Sequence, residues 1–411
     1  MNEPCNGSCL VMRVVPLAII CGGLLVSAGA CTFVNCPADA ACAHPNNTAA
    51  GGTISSGGTG GQSGSSATGG NAQAGAPDID ENPVLPPGDW VNVTGTLKGM
   101  PSGCGNLTGL FPLPKADVLV AGVFLKGMFT STAGSTTWAA LGTGKASDVI
   151  DNGPQNLIFD PADPKHFWEV GIYGTGHGVY ETLDNGVTFT GAGSIQYCDS
   201  LSVDFSDPAR HLLLTAGHEK ARAVFKSTDG GKTWNNISDA LPSDNFCTEV
   251  LIIDPKTYLV GCGTSGGTAA IYRTTDAGVA WSKVSDGGGR QAPLQAADGS
   301  IYWATPTTGR LMRSVDKGLT WLEVMPPNIL PPVAPIELPD GRIAAVGPKT
   351  LLVSANQGQT WDYASAAFPY DGPSGLAYSG TQKAFFIWRN DCNNVVLDDA
   401  VLRFDFDYES Q

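Results

Sequence analysis

The sequence predicts an all-β protein: a seven-bladed β-propeller of four-stranded antiparallel blades, with six blades as the rival count. Three observations predict it. An eight-residue unit recurs at spacings of 51, 45, 47, 40 and 40 residues, the period of a blade built from about four short strands. A strand-like segment ending in a turn precedes most copies. The composition is turn-rich, with 53 Gly in 411 residues and only 15% charged residues, and no long helical charge pattern runs through it.

The first element is an export leader. Residues 14–30 read VVPLAIICGGLLVSAGA; Arg13 precedes them and Cys31 follows. A basic start, an apolar middle and a small-residue end make a secretory signal. Met12 is a natural start for it. The stretch is short and Gly-containing for a transmembrane helix. Small residues directly before a Cys resemble the lipobox of bacterial lipoproteins, with Ala28 where Leu is usual. That resemblance implies a lipidated Cys31, a leader over 1–31 and a place at the cell envelope or outside the cell.

Residues 32–88 read as a tether. Between 51 and 76 there are ten Gly, no charge and no aromatic ring. Such a segment cannot bury a core and behaves as a coil with a reach of roughly 35–40 Å.

The propeller is expected over 89–411. Its clearest unit is STDGGKTW (227–234), followed by TTDAGVAW (274–281), SVDKGLTW (314–321) and SANQGQTW (354–361). TLDNGVTF (182–189) has Phe for Trp, and STAGSTTW (131–138) has lost the Asp and the Gly. The units resemble the Asp-box, or BNR, repeat. Similar boxes occur in sialidases, xyloglucanase-type glycoside hydrolases, sortilin-type receptors and photosystem assembly factors. The box is expected on the hairpin between the third and fourth strands of a blade. Its Asp accepts backbone N–H bonds across the turn, its Gly takes a positive φ, and its Trp packs between sheets. Asp184, Asp229, Asp276, Asp316 and Asn356 are therefore turn formers.

Inner strands precede the boxes at Asn156–Asp160, Ser200–Asp204 and Val250–Asp254, with weaker equivalents at 291–299 and 333–341. A last unit starts at Gly375 and continues to a strand near Ala400, with no box after it. The segment DWVNVT (89–94) resembles the missing fourth strand. Its insertion into the last blade would close the ring and remove free sheet edges.

Hairpin ends alternate between two faces of a propeller, so boxes and Asp-Pro turns share one face. The other carries the funnel. The polar and aromatic residues expected there are Asp151, His177, Tyr197, Asp199, His218, Glu249, Arg290, Tyr370, Asp371 and Arg389. Asp199 and Glu249 enter neighbouring inner strands, where two carboxyl groups could serve as acid and base in glycoside hydrolysis. Tyr197 and Tyr370 could stack on sugar faces. His177 and His218 lack the third ligand that a zinc site needs, so neither a metal nor another cofactor is expected.

Charge and motif narrow the function. The net charge is −15, and 89–411 hold 33 Asp and Glu against 22 Lys and Arg. That disfavours nucleic acid, anionic membranes and polyanionic substrates. Sialidases bind the substrate carboxylate with an arginine triad that begins in an FRIP motif. Here FRIP is absent and no Arg occurs between Arg13 and Arg210, so an ordinary sialidase is not expected. Xyloglucanase-type enzymes work in a cleft between two propellers, and this chain has one.

Of the eleven Cys, Cys5, Cys9 and Cys21 would be removed with the leader and Cys31 would carry the lipid. Cys198 and Cys247 enter neighbouring inner strands and are expected to be bridged, which leaves Cys262 free. Cys104 with Cys392 would tie the first blade to the last. The reading is a tethered monomer that recognises a glycan or an envelope protein through its funnel. The alternatives are a hydrolase of neutral polysaccharide and an envelope assembly or scaffold factor.

Overall fold

Seven four-stranded antiparallel sheets follow one another along the chain, in a computed structural model that describes residues 84–103, 107–132, 135–263, 268–289, 291–305, 310–325, 333–390, 396–398 and 401–410. The seven-blade count is thereby settled over six. The leader, Cys31 and the tether up to residue 83 lie outside the described residues, as do Cys104, Arg290 and Cys392.

Blades 1–6 each run from an inner to an outer strand in chain order. Their inner strands are Leu107–Pro112, Gly153–Phe159, Cys198–Val203, Cys247–Asp254, Leu294–Gln295 and Ile336–Glu337. Blade 7 takes three strands from the end of the chain (Gly375–Ser379, Ala384–Trp388, Val401–Asp405) and its fourth, Val91–Asn92, from the start of the domain. Val91 pairs with Arg403 and Asn92 with Leu402. The Trp90 ring packs on Phe368 and Phe404 and donates its N–H to the Ala366 carbonyl of blade 6. This closure protects the edge that an open ring of sheets would expose.

The repeat turns hold blades 2–6. In each, the backbone N–H four residues on donates to the Asp or Asn side chain: Thr188 to Asp184, Thr233 to Asp229, Ala280 to Asp276, Thr320 to Asp316 and Thr360 to Asn356, all at 2.8–2.9 Å. Hydrogen bonds from Thr188 and Thr233 pull the Asp184 and Asp229 carboxyls down, Asp229 to about 2. Where Asn replaces Asp, the Asn356 amide donates to Thr360 Oγ1 at 2.8 Å, so an amide closes the same turn. Each turn carries two successive left-handed residues, of which the second is always Gly. At Gly318 (φ +77°) a Cβ would also lie 2.5 Å from Leu259 of the preceding blade. The Trp234, Trp281 and Trp361 indoles donate to Ala192, Ile237 and Val324, each in the blade before. Trp321 differs, bonding to Gly318 of its own turn.

The core lies between blades rather than at one centre, in clusters such as Trp168, Val170, Leu201 and Leu213 between blades 2 and 3. A buried ion pair joins the same two blades: Arg210 grips Asp160 through Nε (2.8 Å) and Nη2 (2.9 Å), and holds that carboxyl down at about 2.

One expectation is corrected. Cys247 is bridged to Cys262, and Cys198 is a buried free thiol. Cys198 and Cys247 do enter adjacent inner strands. Cys262, however, lies directly opposite Cys247 in the same hairpin, with 3.8 Å between their Cα atoms, and the bond forms within that blade.

Candidate functional site

The inner strands surround a cavity of about 800 Å³ that runs from their entries, on the face opposite the repeat turns, to their far ends at Pro112, Phe159 and Glu337. Asp199 and Glu249 both line it, with Gln155, Asn156, Gln291 and Glu337. They arrive there by register. Asp199 lies at the start of the blade 3 inner strand and Glu249 at the start of the blade 4 inner strand, each beside an irregularity in the pairing with the next strand.

Asp199 has the more defined surroundings. Its Oδ1 is 2.7 Å from His218 Nδ1, its Oδ2 is buried without a hydrogen-bond partner, and its side chain is 11% exposed. Burial pushes the carboxyl up against the pull of His218. Burial opposes the charged form of His218 as well, yet the Asp199 bond and charge outweigh it and the imidazole is raised. His218 Nε2 lies 2.9 Å from the Tyr173 hydroxyl, and Tyr173 donates in turn to Glu219 at 3.3 Å. A hydrogen-bonded line thus runs from the cavity to the outer lip.

The other expected residues divide. Tyr197 is exposed on the lip beside Tyr173, with ring centroids 6.3 Å apart. Asp151 does not line the cavity. It closes the Thr175–Gly176 turn, and against its partial burial the Thr175 hydroxyl and the Thr175 and Gly176 N–H groups that donate to it hold its carboxyl down. His177 is tied back into blade 2, its Nδ1 on the Gly193 carbonyl and its ring edge-on to Tyr180. Tyr370 packs into the cluster between blades 6 and 7, with the Arg389 guanidinium 5.6 Å from its ring centroid. Asp371 is exposed and outside the cavity lining. Arg290 falls outside the described residues.

Sequence reasoning missed three residues. Glu337 lines the cavity and accepts from the Ala297 N–H at 2.9 Å; its strand is too short for a pattern to mark it. Tyr173 lies one residue beyond a fully buried strand, and nothing in its composition distinguishes it. Glu169 is wholly buried in that same strand, accepts from Asn152 Nδ2 at 3.2 Å, and is pushed up to about 8 by burial. The one signal was an acid inside FWEVGI, an otherwise apolar run.

No protein-family model matches this chain, nor does any curated protein. Solved structures do resemble it. The extracellular domain of BT3049 from B. thetaiotaomicron aligns over 75% of this chain and 41% of that one, at 10% identity and a TM-score of 0.53. The extracellular domain of BT4673 from the same organism aligns over 77% and 40%, at 7% identity and a TM-score of 0.52. A GH74 xyloglucanase from Xanthomonas campestris aligns over 78% and 56%, at 18% identity and a TM-score of 0.48. This chain therefore spans about half or less of each. At these identities the shared property is the fold.

Proposed function

We propose that this chain is an exported Asp-box propeller, tethered at the cell surface, that recognises a glycan or an envelope protein through its funnel. The observation that carries this reading is the polar cavity in which Asp199 offers a buried, unpartnered oxygen backed by His218. A buried acceptor without a donor costs roughly 1–3 kcal/mol, and a ligand hydroxyl or N–H would recover it. Export is supported by the leader before Cys31, and by a disulfide suited to an oxidising compartment. The proposed organisation is a leader over 1–31 with a lipid on Cys31, a tether over 32–88 and the propeller over 89–411. The lipid would be the only link to the membrane, and the propeller would work as a monomer.

A second reading has its own support. Asp199 is raised by burial and shares its cavity with Glu249, an arrangement suited to acid and base or nucleophile in hydrolysis of a neutral polysaccharide. A reducing-end assay on the full chain, run with binding measurements on the same polysaccharides, separates the two. Binding without release of ends supports recognition. Release that disappears in Asp199→Ala/Glu249→Ala supports hydrolysis. Binding without release that is unchanged by this double substitution removes Asp199 and Glu249 from the site and contradicts the funnel reading.

A further inference from the structure

Leu125, Tyr173 and Tyr197 share two unusual properties. Each is a large apolar side chain left 40–43% exposed, and each has a left-handed backbone, with φ of 57°, 60° and 54°. They are the only large apolar or aromatic residues among the described non-glycine positions with positive φ. All three occupy connections on the funnel face of blades 1–3. Such a conformation costs roughly 1–3 kcal/mol per residue and persists where the surroundings impose it, often at ligand clamps.

The surroundings here hold the two tyrosines in place. Tyr173 meets Phe124 edge-on at 5.7 Å and His218 edge-on at 4.8 Å, and its hydroxyl lies against His218 and Glu219. Tyr197 precedes Cys198 and Asp199 on the way into the cavity, and its carbonyl accepts from the His218 N–H at 2.7 Å. The two rings, tilted 53° to one another, form a bent aromatic ledge at the rim beside Asp199.

We infer that this ledge is a stacking subsite for a neutral saccharide chain whose end enters the funnel. The inference rests on the reading that ligands are taken on this face. An aromatic face suits the apolar side of a sugar ring. Beside the ledge, Asp199 Oδ2 has no hydrogen-bond partner and the Glu219 carboxylate is exposed, and both accept bonds from hydroxyls, which a saccharide supplies in numbers. A proline-rich peptide also docks on aromatic rings, but it offers mainly carbonyl acceptors and would leave Asp199 Oδ2 without a donor. The net charge of −15 weighs against a polyanionic glycan.

The test is calorimetric titration of the full chain. The probes are neutral hexasaccharides of glucose, mannose and xylose, a hexamer of galacturonate, and a proline-rich decapeptide. Tyr197→Gly removes the ring and relieves the left-handed backbone; Tyr197→Phe keeps the ring. We expect a neutral hexasaccharide to bind, Tyr197→Gly to weaken it at least tenfold with Tm unchanged or higher, and Tyr197→Phe to stay within twofold of the native chain. Unchanged affinity in Tyr197→Gly, preference for galacturonate or the peptide, or no saccharide bound at all each overturns the ledge. The funnel reading fails separately, when Asp199→Ala/Glu249→Ala leaves every ligand bound as before.

Discussion

Asp199 Oδ1 and His218 Nδ1 lie 2.7 Å apart across the first hairpin of blade 3. The pair connects the funnel cavity to the lip, because the other imidazole nitrogen reaches the Tyr173 hydroxyl. An NMR titration of His218 should place its pKa above the ordinary value of 6.5, and Asp199→Asn should bring it down, since the raising partner is gone. A group raised on folding adds stability below its unfolded pKa and loses it as pH rises through the folded one. The stability difference between native and Asp199→Asn should therefore shrink as pH climbs from about 6.5 through the raised value.

Arg210 and Asp160 set the acid limit. Breaking a buried pair by removing one partner costs about 3–5 kcal/mol, so Arg210→Met should lower Tm by about ten degrees. Asp160 is depressed, so its contribution is present above the ordinary carboxylate range and is lost as pH falls from about 4 toward about 2. Thermal melts at pH 7 and pH 2.5 should show a large gap between native and variant at the first and a small one at the second.

Glu169 works in the opposite sense. Its carboxyl is raised to about 8, so the folded chain holds a proton that the unfolded chain gives up near pH 4.5. Stability then falls as pH rises between those values. Glu169→Gln should be near neutral at pH 4.5 and should raise Tm by several degrees at pH 8.5. Equal melting temperatures of native and variant at pH 8.5 would show that Glu169 does not titrate this way.

The Cys247–Cys262 bridge closes a loop of 15 residues, worth about 3 kcal/mol in the chain-entropy description. Peptide mapping without reductant should recover these two Cys as one linked species. Cys198, pushed up to about 12 by burial, should resist alkylation until the chain unfolds. Alkylation of Cys198 in the native state would contradict the assignment.

The repeat turns should be separable from ligand recognition. Asp316→Ala removes the acceptor of the Thr320 N–H and hydroxyl and should cost about 1–2 kcal/mol. Asp316→Asn should cost little, because Asn356 closes the equivalent turn with an amide. Neither should alter binding on the opposite face.

Much of this architecture is legible in the residues because the repeat turn is a local device. Ser227, Asp229, Gly231 and Thr233 bond to one another within seven residues, so their spacing alone locates the hairpin and, through it, the blade. The closing strand was legible for the same reason: Trp90 bridges to blade 6 much as Trp234, Trp281 and Trp361 bridge to the blades before them. What stayed hidden depends on register. The irregular pairing at the start of the blade 4 hairpin puts Cys262 opposite Cys247, and no spacing announces it. Asp151 and His177 have the residue types of a binding site, but local turns use up their polar atoms. The exposure of Tyr173 follows from a left-handed backbone imposed by its neighbours, which a single chain pattern does not encode.

The central claim is that ligand enters the funnel between the Asp199 and Glu249 strand entries. The most direct measurement is a glycan array probed with the full chain and two double variants. Asp199→Ala/Glu249→Ala alters the funnel, and Val279→Glu/Val315→Glu alters two exposed positions on the repeat-turn face. The account predicts that bound glycans are lost in the first variant and kept in the second. Glycans kept by the funnel variant and lost by the repeat-turn variant would place recognition on the opposite face and contradict it.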